Sequence, residues 1–435
     1  MNILLTSLGC KLNQAEVEDL ARCAFAAGLG VVQDPAAADW AIVNTCAVTH
    51  VAARKCRQAV RGLRRANPTL RIAVTGCYVE AHDPLLASIE GVEMLVPNQD
   101  KEQVLQRLLD ASGAAGAGGE APSAEPALYA RGGHTRALVK IQDGCDNACT
   151  YCFVRIARGA QRSTAPQQVL EEVRRRVAEG YQEVVLTGVH IGAYGRDSAA
   201  NAPLPAERGW SLARLVRAIL AEPATMRLRL SSVEPWDLDD DLLDCFGHPR
   251  LCRHVHLPLQ SGSDAVLRRM GRTYDTAHLA RRVAALRGRV PGVSVTTDVM
   301  VGFPGETAAE FAETMAFVED LALARLHVFT YSPRPGTAAA AMPGQVDPRE
   351  ADVRSRALIA LGRRLARRFH EGFVGQTLEV LCEQARPSAD GPVWNGLADN
   401  YIRVRAPSTR DLANQLVHVR CTAADAVGLR GEIVG

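Results

Sequence analysis

The sequence predicts an α/β protein in three parts: an N-terminal domain with a parallel sheet, a central partial (β/α)6 barrel, and a small C-terminal β-barrel. Two successive series of short apolar runs alternating with longer helical patterns predict the first two parts. Stretches of alternating polarity, separated by Gly, Pro, Asn and Asp, predict the third. A length of 435 residues agrees with this division, because single cores rarely grow beyond about 250–300 residues.

The first series predicts a domain over residues 1–110. Strands are expected at 2–7, 40–44 and 71–75, and helices at 14–27 and 52–65. Strands that alternate with helices pair in parallel with their neighbours. The stretch that follows, 111–130, is rich in Ala and Gly and has no periodic pattern, so it is expected to be a flexible linker.

The second series predicts the central domain, residues 131–370. Its six strands are expected at 137–141, 183–186, 227–231, 254–259, 294–299 and 326–331. An arginine-rich helix at 352–369 closes it. Residues 371–435 are the predicted β-barrel, with strands at 377–381, 401–404 and 416–419.

Composition excludes several classes of protein. Apolar residues make up 47% and charged residues 23%, which excludes a disordered, collagen-like or membrane-embedded chain. No apolar run approaches the roughly 18 residues of a membrane span, and the start lacks the pattern of a secretory leader. We therefore expect a cytoplasmic protein without a membrane partner. Twelve cysteines in such a chain indicate metal binding rather than disulfides.

Three cysteines, Cys145, Cys149 and Cys152, follow the first predicted strand of the barrel. Three thiolates on one short loop can hold three irons of a 4Fe-4S cluster and leave the fourth iron open to a ligand. A zinc site is the alternative, but four-cysteine zinc sites usually split into two short pairs. The position at the carboxyl end of a barrel strand predicts a catalytic site.

Three more cysteines, Cys10, Cys46 and Cys77, each follow a predicted strand of the N-terminal sheet. Because the carboxyl ends of parallel strands lie side by side, these thiols are expected to converge. They predict a second cluster site, with ordinary buried cysteines as the alternative. The remaining cysteines share no such placement and are interpreted as structural: Cys23, Cys56, Cys245, Cys252, Cys382 and Cys421.

The pattern Cys145-x-x-x-Cys149-x-Tyr151-Cys152 resembles that of the radical S-adenosylmethionine (SAM) enzymes. Segments 8–14, 44–46 and 75–77 extend the resemblance to the methylthiotransferases, whose C-terminal TRAM domain is a β-barrel used on RNA. Within that family, segments 9–14 and 157–163 are most similar to the branch acting on N6-threonylcarbamoyladenosine in tRNA.

This resemblance implies a transferase of sulfur-containing groups with two 4Fe-4S clusters and SAM. The cluster on Cys145, Cys149 and Cys152 would bind SAM, whose reductive cleavage gives a 5'-deoxyadenosyl radical that takes hydrogen from C2 of adenine. The cluster on Cys10, Cys46 and Cys77 would carry the sulfur, which a second SAM methylates. The implied partners are tRNA carrying N6-threonylcarbamoyladenosine at position 37, next to the anticodon, and an electron donor such as flavodoxin or ferredoxin.

Six further residues are candidate contacts to SAM. Tyr151 would pack on its adenine, or would only form a wall of the cluster pocket. Thr187 and Gly188 end the second barrel strand, where a small residue lets the backbone approach the methionine part, although a plain turn has the same pattern. The last three follow later strands and face the site only if the register holds: Ser232, Glu234 and Gln260. Three histidines near strand ends are interpreted as packing or hydrogen-bonding residues: His190, His256 and His327.

A basic helix lies between Cys46 and Cys77. No acidic residue occurs from 47 to 79, whereas seven basic residues fall there: Arg54, Lys55, Arg57, Arg61, Arg64, Arg65 and Arg71. A basic stripe beside a cluster site predicts contact with RNA phosphates, although charge runs are usually solvated faces. Two alternatives to the leading hypothesis stay open: the same chemistry on isopentenyl-type tRNA adenosine or a ribosomal protein aspartate, and a zinc-bearing RNA-binding protein without catalysis.

Overall fold

The structure is a computed structural model that describes residues 1–113, 134–197, 209–223, 226–389 and 391–434. From residue 114 onward, the predicted linker at 111–130 lies outside this part of the chain. Among the described helices, none combines the length and the apolar character that crossing a membrane requires. The α/β fold class with three parts is confirmed, as the three following paragraphs describe.

The N-terminal part is a parallel sheet with the strand order β2-β1-β3-β4-β5. Its strands are β1 (Asn2–Ser7), β2 (Gly30–Val32), β3 (Trp40–Thr45), β4 (Arg71–Gly76) and β5 (Val92–Val96). Its helices are α1 (Lys11–Ala26), α2 (His50–Ala66), α3 (Pro84–Ala87) and α4 (Val104–Ala111). The central strand β3 is buried at every residue. The two edge strands, β2 and β5, were not predicted; they are short and only partly buried, so they lack the continuous apolar run of a central parallel strand.

The central part is an open, curved barrel of parallel strands. Two three-stranded sheets, β10-β9-β6 and β11-β12-β13, are joined by bridges from Leu228 to Leu251 and from Ser232 to His256. The strands are β6 (Ala137–Lys140), β9 (Glu183–Thr187), β10 (Arg227–Leu230), β11 (His254–His256), β12 (Ser294–Val301) and β13 (Arg325–Thr330), with a small ribbon of β7 (Gln142–Asp143) and β8 (Arg162–Ser163). The helices are α5 (Val154–Arg158), α6 (Pro166–Ala178), α7 (Leu212–Ala221), α8 (Asp240–Cys245), α9 (Asp264–Arg269), α10 (Thr276–Arg289), α11 (Ala308–Leu321) and α12 (Pro348–Glu371).

The C-terminal part is a closed barrel with the strand order β14-β15-β16-β18-β17. Its strands are β14 (Thr377–Arg386), β15 (Val393–Ala398), β16 (Arg403–Pro407), β17 (Leu416–Ala424) and β18 (Leu429–Ile433). Pairing of β14 with β17 closes the ring. The strand expected at 401–404 starts at Arg403, because Tyr401 adopts a left-handed conformation with φ 65° and ends the preceding turn.

A buried ion network joins the two barrels. Glu183 of β9 accepts hydrogen bonds from Arg229 Nε at 2.6 Å and Arg227 Nη2 at 2.7 Å. The same arginines donate to four carbonyls of the C-terminal barrel, those of Glu379, Leu397, Ala398 and Asp399. Burial alone would raise the pKa of Glu183, but the two guanidiniums hold it well below its ordinary value.

We expect Glu183→Gln to lower the free energy of unfolding by about 3–5 kcal/mol, because it removes the carboxylate of the fully buried Arg229 and leaves Arg227 with only the half-exposed Glu379 at 3.5 Å. Thermal and denaturant unfolding of the holoenzyme would measure the loss. Glu93→Gln is the matched control, since Glu93 pairs with Arg71 at 2.8 Å on the surface and such pairs contribute about 0–1 kcal/mol. Equal effects of the two substitutions would contradict a network that holds the barrels together.

Candidate active site

The loop that carries Cys145, Cys149 and Cys152 follows β7 and is fixed by backbone hydrogen bonds at three points. Cys145 N donates to Gly159 O at 3.1 Å, Thr150 N donates to Met270 O at 3.0 Å, and Ala339 N donates to Thr150 O at 2.8 Å. All three cysteine residues are of intermediate exposure. The loop therefore presents three thiols at the carboxyl end of the barrel on a backbone that neighbouring segments hold in place.

A cation lies against two of the three cysteines of this loop. Arg272 Nη1 donates to Cys149 Sγ at 3.4 Å and is itself paired with Glu234. His190 Nδ1 lies 3.9 Å from Cys145 Sγ, and its Nε2 lies 2.5 Å from Asp237 Oδ2. Burial alone would lower the pKa of His190, but the bonds to Asp237 and Cys145 raise it to about 9. A positive charge beside a thiolate stabilises its ionised, metal-binding form.

Two of the three thiols have a raised pKa in the absence of metal. Burial raises the pKa of Cys152 to about 12, and the neighbouring Cys149 and Cys145 add to the shift. Burial also raises the pKa of Cys149, which Arg272 opposes. Metal ligation must displace these protons, so the site exchanges protons for iron on loading.

The first three SAM-contact candidates occupy different surroundings. Tyr151 lies in an apolar cluster with its ring edge-on to Phe303, 6.4 Å between centroids. Thr187 is buried at the end of β9, where its carbonyl accepts from Ile141 N at 2.9 Å. A Cβ on Gly188 would lie 2.8 Å from Gln142 O, so a close backbone approach within the fold already accounts for the glycine.

The other three candidates differ in exposure and in whether their side chains already have partners within the protein. Ser232 is exposed and pairs with His256 through a backbone bridge. Glu234 is engaged by Arg272, so it positions that guanidinium. Gln260 is buried, its Oε1 has no hydrogen-bond partner among the described residues, and its φ is 66°. A strained backbone with an unpaired buried amide oxygen is typical of a ligand-binding position.

The three N-terminal cysteines converge as the parallel register requires. Asn44 pairs with Ser7 on one side and with Thr75 on the other, which brings the ends of β1, β3 and β4 together. Burial raises the pKa of Cys46 to about 12, and the nearby Cys77 and Cys10 thiols add to the shift. Gly9 has φ 116°, and a Cβ there would lie 2.5 Å from Cys46 Cβ, so only glycine allows this approach.

A buried network ties this second cysteine group to the barrel. Glu16 of α1 accepts from Lys101 at 2.7 Å, from Lys140 at 3.1 Å and from Arg158 at 2.8 Å. Arg158 also donates to Asn13 Oδ1 at 2.8 Å. Asn13 Nδ2 in turn donates to Leu8 O at 2.9 Å and Thr45 O at 3.1 Å, the carbonyls just before the Cys10 and Cys46 segments. The network therefore fixes those two segments relative to the barrel.

The two cysteine groups share a junction between the N-terminal sheet and the barrel. Phe153, next to Cys152, packs in the same apolar cluster as Cys77. Asn98 Nδ2 donates to Ala157 O at 2.7 Å, and His50 N donates to Ser332 Oγ at 3.1 Å. We use "junction" for this region, formed by α5, the start of α2 and the segment 332–337.

The donor set fits iron-sulfur clusters. In the part of the chain that the structure describes, no three or more His, Cys, Asp or Glu side chains are gathered tightly enough to hold a single metal ion. A 4Fe-4S cluster makes a different demand, because each thiolate binds its own iron. Soft thiolate donors with guanidiniums beside them suit such an anionic group.

Sequence reasoning missed the charged residues that surround the cysteines. Arg272 comes from the turn after α9, Arg158 from the end of α5, and Asp237 from the segment after β10. The sequence offers one signal, the glycine Gly271 directly before Arg272. Its positive φ forms a turn that places Arg272 beside the cysteine loop. His190 was interpreted as a hydrogen-bonding residue, and the structure places it in bonds to Asp237 and Asn147.

The basic stripe separates into two sets. Arg57, Arg64 and Arg71 are paired with acidic side chains of the N-terminal part. The other four are exposed and form no ion pair among the described residues: Arg54, Lys55, Arg61 and Arg65. Spacings of seven and four place Arg54, Arg61 and Arg65 on one face of α2, so an unpaired basic face remains beside the Cys46 segment.

Two family models match the chain. The model of the radical SAM superfamily matches residues 139–318, and that of "Uncharacterized protein family UPF0004" matches residues 2–97. A relative from Bacillus subtilis, "Threonylcarbamoyladenosine tRNA methylthiotransferase MtaB", is 35% identical over 98% of this chain and 95% of its own length. "tRNA-2-methylthio-N(6)-dimethylallyladenosine synthase" from Moorella thermoacetica is 33% identical over 99% and 98%.

The fold has a counterpart among solved structures. The radical SAM methyltransferase TsrM from Kitasatospora setae superposes with a TM-score of 0.54 at 15% identity, over 78% of this chain and 77% of that chain. At that identity the match concerns the fold alone.

The partial barrel, its three-cysteine loop and the superfamily match define a radical SAM enzyme, a class that uses a 4Fe-4S cluster and SAM. More particularly, the chain belongs to the methylthiotransferase family, to which near full-length relatives at 33–35% identity tie it.

Proposed function

We propose that this protein is a tRNA methylthiotransferase that adds a methylthio group to C2 of N6-threonylcarbamoyladenosine at position 37. One observation carries the proposal: two groups of three cysteines meet at one junction, which is required if sulfur held at one cluster is to reach a C2 atom activated at the other. The B. subtilis relative, whose name states this substrate, supports it over nearly the whole chain.

Cys145, Cys149 and Cys152 would hold the first cluster, and Arg272 and His190 would compensate its negative charge. When bound, the cluster and SAM supply the one-electron chemistry that opens the unreactive C2–H bond of adenine. Gln260 offers SAM an unpaired amide oxygen, and Glu234 keeps Arg272 in place. Tyr151, Thr187, Gly188 and Ser232 stay predicted contacts at the same barrel mouth.

Cys10, Cys46 and Cys77 would hold the second cluster and present the sulfur. Three cations, Lys101, Lys140 and Arg158, face two carboxylates, Glu16 and Asp143, which leaves a net positive charge behind these thiols. Such a charge stabilises an anionic cluster. An electron donor such as flavodoxin or ferredoxin would reduce the clusters from outside.

In this proposal, each of the three parts of the chain has its own binding role. Residues 1–110 hold the second cluster, residues 131–370 hold the first cluster with SAM, and residues 371–435 form a TRAM-like barrel that binds RNA. The exposed basic face of α2, with Arg54, Arg61 and Arg65, would contact RNA phosphates. A tRNA substrate places the protein in the cytoplasm.

The same chemistry on dimethylallyl-modified tRNA adenosine is the second candidate. The M. thermoacetica relative, named for that product, is only slightly less similar than the B. subtilis one. A ribosomal protein aspartate is the third target that the chemistry allows. A panel of the three substrates with anaerobically purified enzyme separates them, and metal analysis for iron and zinc excludes or supports a zinc protein.

The deciding experiment is mass spectrometry of tRNA nucleosides from a host with and without this gene. We expect 2-methylthio-N6-threonylcarbamoyladenosine to disappear and its precursor without methylthio to accumulate. Loss of the dimethylallyl product instead would select the second candidate. An unchanged nucleoside profile would contradict a tRNA substrate.

A further inference from the structure

Arg334 differs from every other buried arginine of the described chain. Seven arginines are less than 9% exposed: Arg158, Arg176, Arg227, Arg229, Arg272, Arg334 and Arg354. Six of them have a carboxylate within 4 Å, namely Glu16, Glu172, Glu183, Glu234 or Glu306. Arg334 is only 4% exposed, yet its Nε and Nη1 have no hydrogen-bond partner in the described residues. Buried polar groups without a partner call for an explanation, because desolvation without a bond costs free energy.

The carboxylate of Asp83 does not satisfy this guanidinium. Asp83 interacts with it electrostatically, but the Oδ2 of Asp83 accepts from Tyr78 Oη at 2.5 Å and from Arg57 Nη1 at 3.0 Å. Arg57 already balances the charge of that carboxylate. Burial lowers the pKa of Arg334, as expected for a cation whose desolvation no partner offsets.

Arg334 stands at the junction of the two cysteine groups. Its segment follows β13 and is anchored at both ends: Ser332 Oγ accepts from His50 N at the start of α2, and Ala339 N donates to the carbonyl of Thr150 in the cysteine loop. Thr337 Oγ1 donates to Arg334 O at 2.7 Å and fixes the turn between them. Arg334 also interacts electrostatically with Cys46, which agrees with a position on the side of the second cysteine group.

Exposed apolar side chains occur on the segments around it. Val48 and Val51 follow Cys46 and are 46% and 51% exposed, Leu85 follows Asp83 and is 52% exposed, and Ile156 of α5 is 48% exposed. A Cβ at Gly336 would lie 3.1 Å from Ile156 Cδ1, which places this side chain against the Arg334 segment. Exposed apolar groups beside an unpaired buried cation suit a ligand with a ring and an oxyanion.

We infer that Arg334 binds an oxyanion of the RNA substrate and so positions the target nucleoside between the two cysteine groups. The inference rests on the proposed function. Two sources offer the same chemistry: a phosphodiester of the anticodon loop, and the carboxylate of the threonylcarbamoyl group. Either would accept hydrogen bonds from the free donors of the guanidinium.

Binding of synthetic anticodon stem-loops to the holoenzyme, measured by fluorescence anisotropy, tests this. One RNA carries N6-threonylcarbamoyladenosine and the other carries unmodified adenosine. We expect Arg334→Met to weaken binding of the modified RNA by about 10- to 100-fold, the effect of losing hydrogen bonds to a charged group. An equal loss for the unmodified RNA identifies a phosphate, and a loss confined to the modified RNA identifies the carboxylate. Unchanged affinity for both would overturn the inference.

Two controls separate this result from misfolding and from failure of the proposed function. Arg334→Met should leave the melting temperature unchanged or higher, because no carboxylate in the described part of the chain loses its ion-pair partner when the guanidinium is removed. Arg334→Lys keeps the positive charge and should restore part of the affinity. The control variant Arg174→Met should bind both RNAs normally. Arg174 is an exposed arginine of helix α6 and pairs with Glu222. If the wild-type enzyme binds neither RNA, the proposed function fails as well. If the wild-type enzyme binds the RNAs and Arg334→Met binds them equally well, this inference alone is wrong.

Discussion

Replacing Cys149 with alanine should abolish both reductive cleavage of SAM and formation of the methylthio product. The variant keeps only two of the three thiols on the loop, so the first cluster loses one of its three protein ligands. It also leaves Arg272 without the sulfur to which it donates at 3.4 Å. We expect the rate of 5'-deoxyadenosine release to fall by more than about 1000-fold, over about 4 kcal/mol of activation free energy.

Iron analysis and product detection on the same sample show whether the lost activity comes from loss of the first cluster alone. The variant should retain about four of the eight irons of a fully loaded chain, because the second cysteine group is untouched. Cys23→Ala, which removes an exposed cysteine of α1 outside both groups, should keep full iron and full activity. A Cys149→Ala enzyme that still releases 5'-deoxyadenosine would contradict the assignment of this loop.

Two strands that the sequence predicts well, β3 and β4, are buried on both faces. β3 and β4 read as apolar runs because helices cover both sides of a parallel sheet, and their bounds differ from the prediction only at the carboxyl end. β2, β5 and β18 were missed because they have at most five residues, and β15 was missed because Asn395 and Gly396 interrupt its apolar run. Local patterns carry little information about such strands, since tertiary pairing decides them.

The convergence of the cysteines could be predicted from the sequence because it follows from the order of the parallel strands. Cys46 and Cys77 directly follow residues that pair in register, Thr45 with Gly76, so strand order alone brings them together. No such rule applies to Arg158, Arg272 or Arg334. Arg158 bonds Glu16 across 142 residues of sequence and Arg272 bonds Cys149 across 123, and an arginine-rich chain gives no sign of which guanidiniums are buried.

Replacing Cys77 with alanine should separate the two halves of the reaction. The substitution removes one thiol of the second group and leaves the loop of Cys145, Cys149 and Cys152 with all of its backbone contacts. We therefore expect SAM cleavage to 5'-deoxyadenosine to continue within about twofold, while methylthio product falls by more than about 1000-fold. Nucleoside mass spectrometry and deoxyadenosine release, measured in one reaction, report the two quantities.

Cys56 provides a matched control within a few ångströms of the same site. Its Sγ lies 3.4 Å from both the N and the O of Cys46, and it is buried like Cys77, so the two thiols differ in placement rather than in environment. Because Cys56 sits on α2 and not at a strand end, Cys56→Ala should keep the product. If Cys56→Ala lost the product while Cys10→Ala kept it, the second cluster would be held by Cys46, Cys56 and Cys77. The argument from strand ends would then be wrong for Cys10, although two clusters at one junction would still be required.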